Sequence, residues 1–177
     1  ATSRLSAMSA ALRIFLIGPM GAGKTTIGSQ LARILKLEFI DCDHELEHRT
    51  GASVALIFDI EGEAGFRERE SRLIDELSQR DGIVLATGGG AVLAADNRRW
   101  LHERGFVVYL KSTVDKLVER TRFDTNRPLL RTPDPEATLR AIVEKREPLY
   151  REIAHLTIDT GKLSVKQVIK KITSSLP

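Results

Sequence analysis

Gly18-Pro19-Met20-Gly21-Ala22-Gly23-Lys24-Thr25 frames the reading of the whole chain. It satisfies G-x-x-x-x-G-K-[ST], a loop that cradles phosphates. The glycines let the backbone wrap closely and turn its N–H groups toward phosphate oxygens. The loop then opens a helix, whose N-terminal dipole favours negative charge. Lys24 is placed to reach the β- and γ-phosphates, and the Thr25 hydroxyl to face Mg²⁺. Gly21, Ala22, Gly23, Lys24, Thr25 and Thr26 are the candidate nucleotide-binding run. The context agrees. Arg13–Ile17 (RIFLI) reads as a short buried strand, and Lys24–Leu35 carries Ile27, Leu31, Ile34 and Leu35 at helical spacing.

Outward from the loop, apolar runs alternate with helical patterns. Leu37–Ile40 reads as a second strand ending on Asp41, Ile83–Ala86 as a third, Phe106–Leu110 as a fourth and Leu156–Ile158 as a fifth. Helices are predicted over about 44–50, stopping at Gly51, and over about 63–79, with Phe66, Leu73, Ile74 and Leu77 on one face. Thr113 and Ser164 stand at helix starts, the latter with Gln167 at capping-box spacing. Such alternation predicts an α/β fold with a parallel sheet covered on both faces. Residues 12–177 form one domain in this reading, with 1–11 as an N-terminal extension lacking a signal-peptide core. The stretch 122–135 holds Pro128, Pro133 and Pro135 and reads as a long functional loop.

The 177 residues are 42% apolar and 29% charged, with a net charge of +3. No apolar run approaches the ~20 residues that span a bilayer, and basic residues do not cluster as a nucleic-acid surface requires. The single cysteine, Cys42, excludes an intrachain disulfide and agrees with a reducing cytoplasmic compartment.

The loop specifies a nucleotide but no reaction. An Asn-Lys-x-Asp guanine-reading motif is absent, and the third strand ends in Thr87 rather than an acid. Asp41 and Asp43 follow the second strand, where i and i+2 in extended chain point the same way. Asp41 is placed to hold Mg²⁺ through water. Asp43 either accepts a proton from a substrate hydroxyl or caps the next helix. Thr87-Gly88-Gly89-Gly90 suggests a ligand approaching the main chain closely, or a flexible turn. Arg67, Arg120, Arg122, Arg127, Arg131 and Arg146 offer forks for carboxylate or phosphate, or else solvated ion-pair partners; for Arg67 the candidate partners are Glu63 and Glu70. The lopsided charge of Arg120–Arg131 favours a lid that brings cations to a transferring phosphoryl group. Together these features predict a kinase acting on a small metabolite.

Gly-Pro-Met-Gly-Ala-Gly-Lys-Thr, Asp-Cys-Asp, Gly-Phe-Arg-Glu-Arg-Glu, Leu-Ala-Thr-Gly-Gly-Gly, Asn-Arg-Pro-Leu-Leu and Arg-Glu-Pro-Leu-Tyr, in that order, resemble the shikimate kinase family from about Leu12 to Thr173. The resemblance implies ATP-dependent phosphorylation of the shikimate 3-hydroxyl in aromatic amino-acid biosynthesis. It also implies a three-layer αβα sandwich with a five-stranded parallel sheet in order 2-3-1-4-5 and a mobile lid. It assigns the substrate carboxylate to Arg67 and Arg146, the ring hydroxyls to Asp43, and further substrate contacts to Gly88, Gly89 and Gly90. Lys24 and Arg127 would stabilise the moving phosphoryl group, with Asp43 as base. Arg120 would pack on the adenine, with a second adenine contact around Thr160–Lys162. Thr25 and Asp41 fall on the magnesium side. The implied partners are shikimate and ATP, with no nucleic acid or membrane, for a monomer in the cytoplasm. A gluconate kinase and a non-catalytic nucleotide sensor are the rival readings.

Overall fold

The apolar runs become five short strands, the three central ones buried on both faces and the two edge strands partly exposed, the pattern of a parallel sheet under helices. They are β1 (Arg13–Ile17), β2 (Glu38–Asp41), β3 (Ile83–Ala86), β4 (Phe106–Lys111) and β5 (Leu156–Asp159). All neighbours are parallel, in the order β2-β3-β1-β4-β5. The computed structural model describes residues 11–122 and 127–177. Residues 1–10 of the expected extension, and 123–126 of the expected lid, lie outside the described residues.

Seven helices complete the described fold: α1 (Lys24–Leu35), α2 (Cys42–Thr50), α3 (Val54–Leu77), α4 (Ala95–Arg104), α5 (Val114–Thr121), α6 (Pro135–Ile153) and α7 (Val165–Ser175). Strand periodicity divides the core in two. Phe15, Ile17, Ile83, Leu85 and Tyr109 face α2, α3 and α4. Ile14, Leu16, Val84, Val108 and Leu110 face α1, α5 and α7. The result is the expected three layers. Each fully buried aliphatic side chain contributes about 1.5–3 kcal/mol. Helix α6 joins the two cores, with Leu139 in the second and Tyr150 and Ile153 in the first.

Local chemistry sets the helix ends as the sequence implies. Gly51 caps α2 at φ 69°, and Ser164 with Gln167 forms the capping box that opens α7. Two expectations are corrected. Helix α2 starts at Cys42, so its cap is Asp41, whose Oδ1 accepts from the His44 N–H at 3.1 Å. Asp43 is therefore in the first helical turn and is not the cap. The two aspartates are not aligned by strand alternation, because the chain turns into helix between them. The predicted helix over 63–79 is the second half of a longer one. Residues 54–61 form a preceding helical arm, capped by Ser53, and Gly62 breaks the path at φ 75°, ψ 177°.

Candidate active site

β1 delivers the phosphate loop to the carboxyl edge of the sheet, where ligands bind in open α/β folds. Gly23, the residue before α1, takes φ 95° and provides no side-chain cap, so the first N–H groups of α1 face the crevice. Lys24 lies half-buried, its Nζ donating to the carbonyls of Gly18 (2.5 Å) and Pro19 (2.9 Å). Burial, reinforced by Arg127, lowers its pKa to about 7. Thr25 Oγ1 donates to Asp41 Oδ2 at 2.6 Å, which unites the two residues expected on the metal side. These hard oxygens suit Mg²⁺, which keeps several waters and takes few direct protein ligands. Thr26 is exposed at the crevice mouth. Thr87 at the end of β3 is buried, its hydroxyl donating to Leu16 O at 2.9 Å.

The nucleotide-side cavity, about 170 Å³, is bounded by Lys24, Thr25, Asp41 and Thr87. A second cavity opens beside it, bounded by Val54, Phe58, Phe66, Arg67, Glu70 and Arg146. Met20, Asp43, Gly88, Gly89 and Arg127 border both. Asp43 stands at this junction with Arg127 Nη1 3.6 Å from its Oδ2. Burial, reinforced by Asp41 and opposed by Arg127 and Lys24, raises the Asp43 pKa above the ordinary aspartate range.

Arg67 and Arg146 converge on the second cavity. Arg67 projects from the second half of α3, with Nη1 donating to Glu70 Oε1 at 3.0 Å and Nη2 lying 3.5 Å from Glu63 Oε1. Both ion-pair partners foreseen for Arg67 are thus present, yet its buried Nε has no hydrogen-bond partner. Arg146 is 5% exposed, and burial, with Arg67 nearby, lowers its pKa. Two guanidiniums on one cavity, Arg146 buried and Arg67 partly buried, repel each other, and an anion between them relieves that repulsion, so the arrangement fits a carboxylate.

The glycine triplet proves to be a matter of space between protein groups. A Cβ on Gly90 would overlap the Arg67 guanidinium. One on Gly88 would come within 2.9 Å of Glu70 Oε2 and 3.2 Å of Asp43 Oδ1, and one on Gly89 within 3.3 Å of Met20 N. The close approach expected of a ligand is made first by the site's own side chains. Arg120 donates to Gly21 O at 2.9 Å and shares a groove with Thr26, Ile27, Thr160 and Leu163, so the two segments assigned to adenine meet. Cys42 is fully buried in the core, and His44 and His48 are exposed.

Glu70 is the site residue that sequence reasoning noted only as an ion-pair partner. It is 1% exposed, and burial raises its pKa against the opposing pull of Arg67. A signal was present: Glu70 falls four residues after Phe66 and three before Leu73, inside the apolar stripe of α3. An acid at that register is buried, and a buried acid needs a partner.

The family model described as shikimate kinase matches residues 20–177. The shikimate kinase of Bordetella avium is 61% identical over 165 residues, 93% of this chain and 79% of that one. The shikimate kinase of Burkholderia pseudomallei is 54% identical, covering 93% and 90%. Among solved structures, a shikimate kinase from Acinetobacter baumannii in complex with shikimate superposes with a TM-score of 0.92 at 47% identity, over 98% of this chain and 99% of that one. A gluconokinase from Sinorhizobium meliloti, at 17% identity and TM-score 0.62, shares the fold alone. The chain belongs to the shikimate kinase family.

Proposed function

We propose that this protein transfers the γ-phosphoryl group of ATP to the 3-hydroxyl of shikimate, giving shikimate 3-phosphate and ADP. The observation that carries this reading is the pair of cavities meeting at Asp43 and Arg127. One holds the phosphate loop. The other presents two arginines, Arg146 buried and Arg67 partly buried, to a carboxylate. The Acinetobacter relative, at 47% identity, has shikimate bound. A ring acid with several hydroxyls matches the residue set: arginine forks at one end and an acidic acceptor at the other.

In this reading Arg67 and Arg146 grip the carboxylate and so aim the ring at the junction. Asp43 accepts a hydrogen bond from the attacking hydroxyl and takes its proton as the P–O bond forms. Lys24 leaves the Gly18 and Pro19 carbonyls for the phosphate oxygens. Arg127 leaves Asp43 for the same charge, which frees the carboxylate to act. Thr25, and Asp41 through water, would hold Mg²⁺, which when bound would neutralise charge on the phosphates. Arg120 and Thr160–Lys162 flank the adenine. Closure of the 122–135 stretch as a lid would exclude water from the transfer. Its described part already ties to the cleft, through Arg127 to Asp43 and through Arg131 to Asp59 at 3.1 Å. Transfer is direct and in line, with no covalent enzyme intermediate. The enzyme is proposed to act as a monomer in the cytoplasm, in aromatic amino-acid biosynthesis.

A coupled assay of ADP release across cyclic hydroxy acids and sugar acids tests the assignment. Turnover with shikimate and none with gluconate is expected. Turnover with gluconate alone removes the substrate assignment. Nucleotide binding without turnover on any acceptor favours a sensor.

A further inference from the structure

The Arg-Glu-Pro-Leu-Tyr motif ends in Tyr150, a residue to which the reaction as derived gives no task. Arg146 and Tyr150 are four residues apart on α6 and so lie on one face of the helix. Tyr150 is fully buried. Its hydroxyl donates to the carbonyl of Gly89 at 2.6 Å. A tyrosine hydroxyl has a single proton, so this bond leaves only lone pairs for its other neighbour. Beside it lies the Arg146 guanidinium, close enough for the two groups to interact electrostatically. The guanidinium also abuts Gly89, with Nη1 3.5 Å from where a Cβ there would sit. One hydroxyl is therefore bonded to the glycine strip and lies beside an arginine of the acceptor cavity.

The ring holds that hydroxyl in place. Tyr150 stacks on Tyr109 of β4 with centroids 4.9 Å apart and planes at 26°. The Tyr109 hydroxyl donates away from the cleft, to Glu147. Beyond Gly89 the strip is tied down by two more side chains on α4. Asn97 donates to Ala91 O at 3.0 Å, and Arg98 to Val92 O at 2.8 Å. Burial raises the Tyr150 pKa to about 12, so its proton stays in place at any working pH.

The peptide between Gly89 and Gly90 is trans, as are all the described peptide bonds. In a trans peptide the C=O and the following N–H point in opposite directions. With its carbonyl drawn to Tyr150, this peptide turns the Gly90 N–H to the other side, and Gly90 itself lines the acceptor cavity.

We propose that Tyr150 is a positioning residue for acceptor binding: its hydroxyl fixes the Gly89–Gly90 peptide and the Arg146 guanidinium in one mutual arrangement before the acceptor arrives. The proposal rests on the carboxylate-acceptor reading of the same cavity. It adds a residue that touches neither substrate and acts through two groups that do.

Tyr150→Phe removes one oxygen and leaves the stacked ring. Steady-state kinetics should show KM for shikimate raised roughly tenfold or more, the scale of one buried hydrogen bond left unmade, with KM for ATP within about twofold of wild type. The matched control is Tyr109→Phe, which deletes the hydroxyl of the partner ring and should leave KM for shikimate within about twofold. In an Arg146→Ala background, adding Tyr150→Phe should raise KM much less than it does alone, because the two act as a unit. An unchanged KM in Tyr150→Phe overturns the proposal. So does an equal rise in Tyr109→Phe, or full additivity with Arg146→Ala. If the wild-type enzyme uses a different carboxylated acceptor, only the substrate assignment falls, and the comparison is made on that acceptor. Turnover of no carboxylated acceptor overturns both.

Discussion

Asp43 sits where the two cavities join, and its environment suits a base held in reserve. Arg127 at 3.6 Å occupies it in the free protein. Asp43→Asn keeps the shape and removes the charge. It should lower kcat by about 10²–10⁴ with an unchanged circular dichroism spectrum; a near-normal kcat would leave Asp43 a structural role only. Because its pKa is raised, kcat/KM should fall on the acid side at a pH above the ordinary aspartate value of 3.8, and the Asn variant should lack that limb. Lys24 gives the opposite lever. Its folded-state pKa is near 7 against 10.5 for a free lysine. The unfolded chain thus binds the extra proton between those values, so stability rises with pH across that window and is lost as pH falls toward 7. A bound triphosphate restores the charge. ATP binding above pH 7 should take up a proton and weaken by at most about tenfold per pH unit. Calorimetry in two buffers of different ionisation enthalpy measures the uptake, and Lys24→Met should abolish it. The residue types of this chemistry are legible in the sequence, because the phosphate loop places them locally. The exchange of Asp41 for Asp43 as helix cap is not, since either residue can cap and only the entry angle of β2 selects one.

Helix α3 shows what a single backbone position does for an element. Its first arm carries Val54 and Phe58 over the acceptor cavity, and its second carries Arg67 and Glu70 beneath it. Gly62 joins them at φ 75°, ψ 177°, a region open essentially to glycine. A Cβ there would meet nothing within 4 Å, so the effect of Gly62→Ala is conformational strain alone. The variant should lose about 1–3 kcal/mol, read as a drop in unfolding midpoint. A continuous helix predicts the reverse sign, a gain of about 0.5–1 kcal/mol. The first arm escaped the sequence reading because Val54–Ile60 is apolar nearly all round. Leu56 and Ile60 are exposed while Ile57 is buried, so no period stands out. The second arm was legible because one stripe alone is apolar.

At the scale of the molecule, the acceptor cavity draws on α2, α3, the strip after β3, the segment before α6, and α6 itself. A ligand that bridges so many elements stabilises the folded state by mass action. Shikimate at 100 times its Kd should add about 2.7 kcal/mol, a midpoint shift of about 5–10 °C for a chain of this size. Arg67→Ala should lose most of that shift and keep the shift produced by ATP. Loss of both would contradict separate acceptor and nucleotide sides. No helix among the described residues is long and apolar enough to cross a membrane.

The sequence by itself determined the alternation of strands and helices, the phosphate loop and the chemistry of its lysine and threonine. These are local: a period, a cap or a loop motif is written in contiguous residues. Only the tertiary structure decided which distant side chains share a space. Arg67 and Arg146 line one cavity although 79 positions separate them, and Glu70 and Asp43 both close on Gly88. The glycine triplet, read along the chain as room for a ligand, is in the fold also room for Arg67, Glu70 and Asp43. Tyr150 has a neighbour in Gly89 only once α6 crosses the end of β3. Such contacts depend on sheet order and helix packing, and no local pattern encodes them.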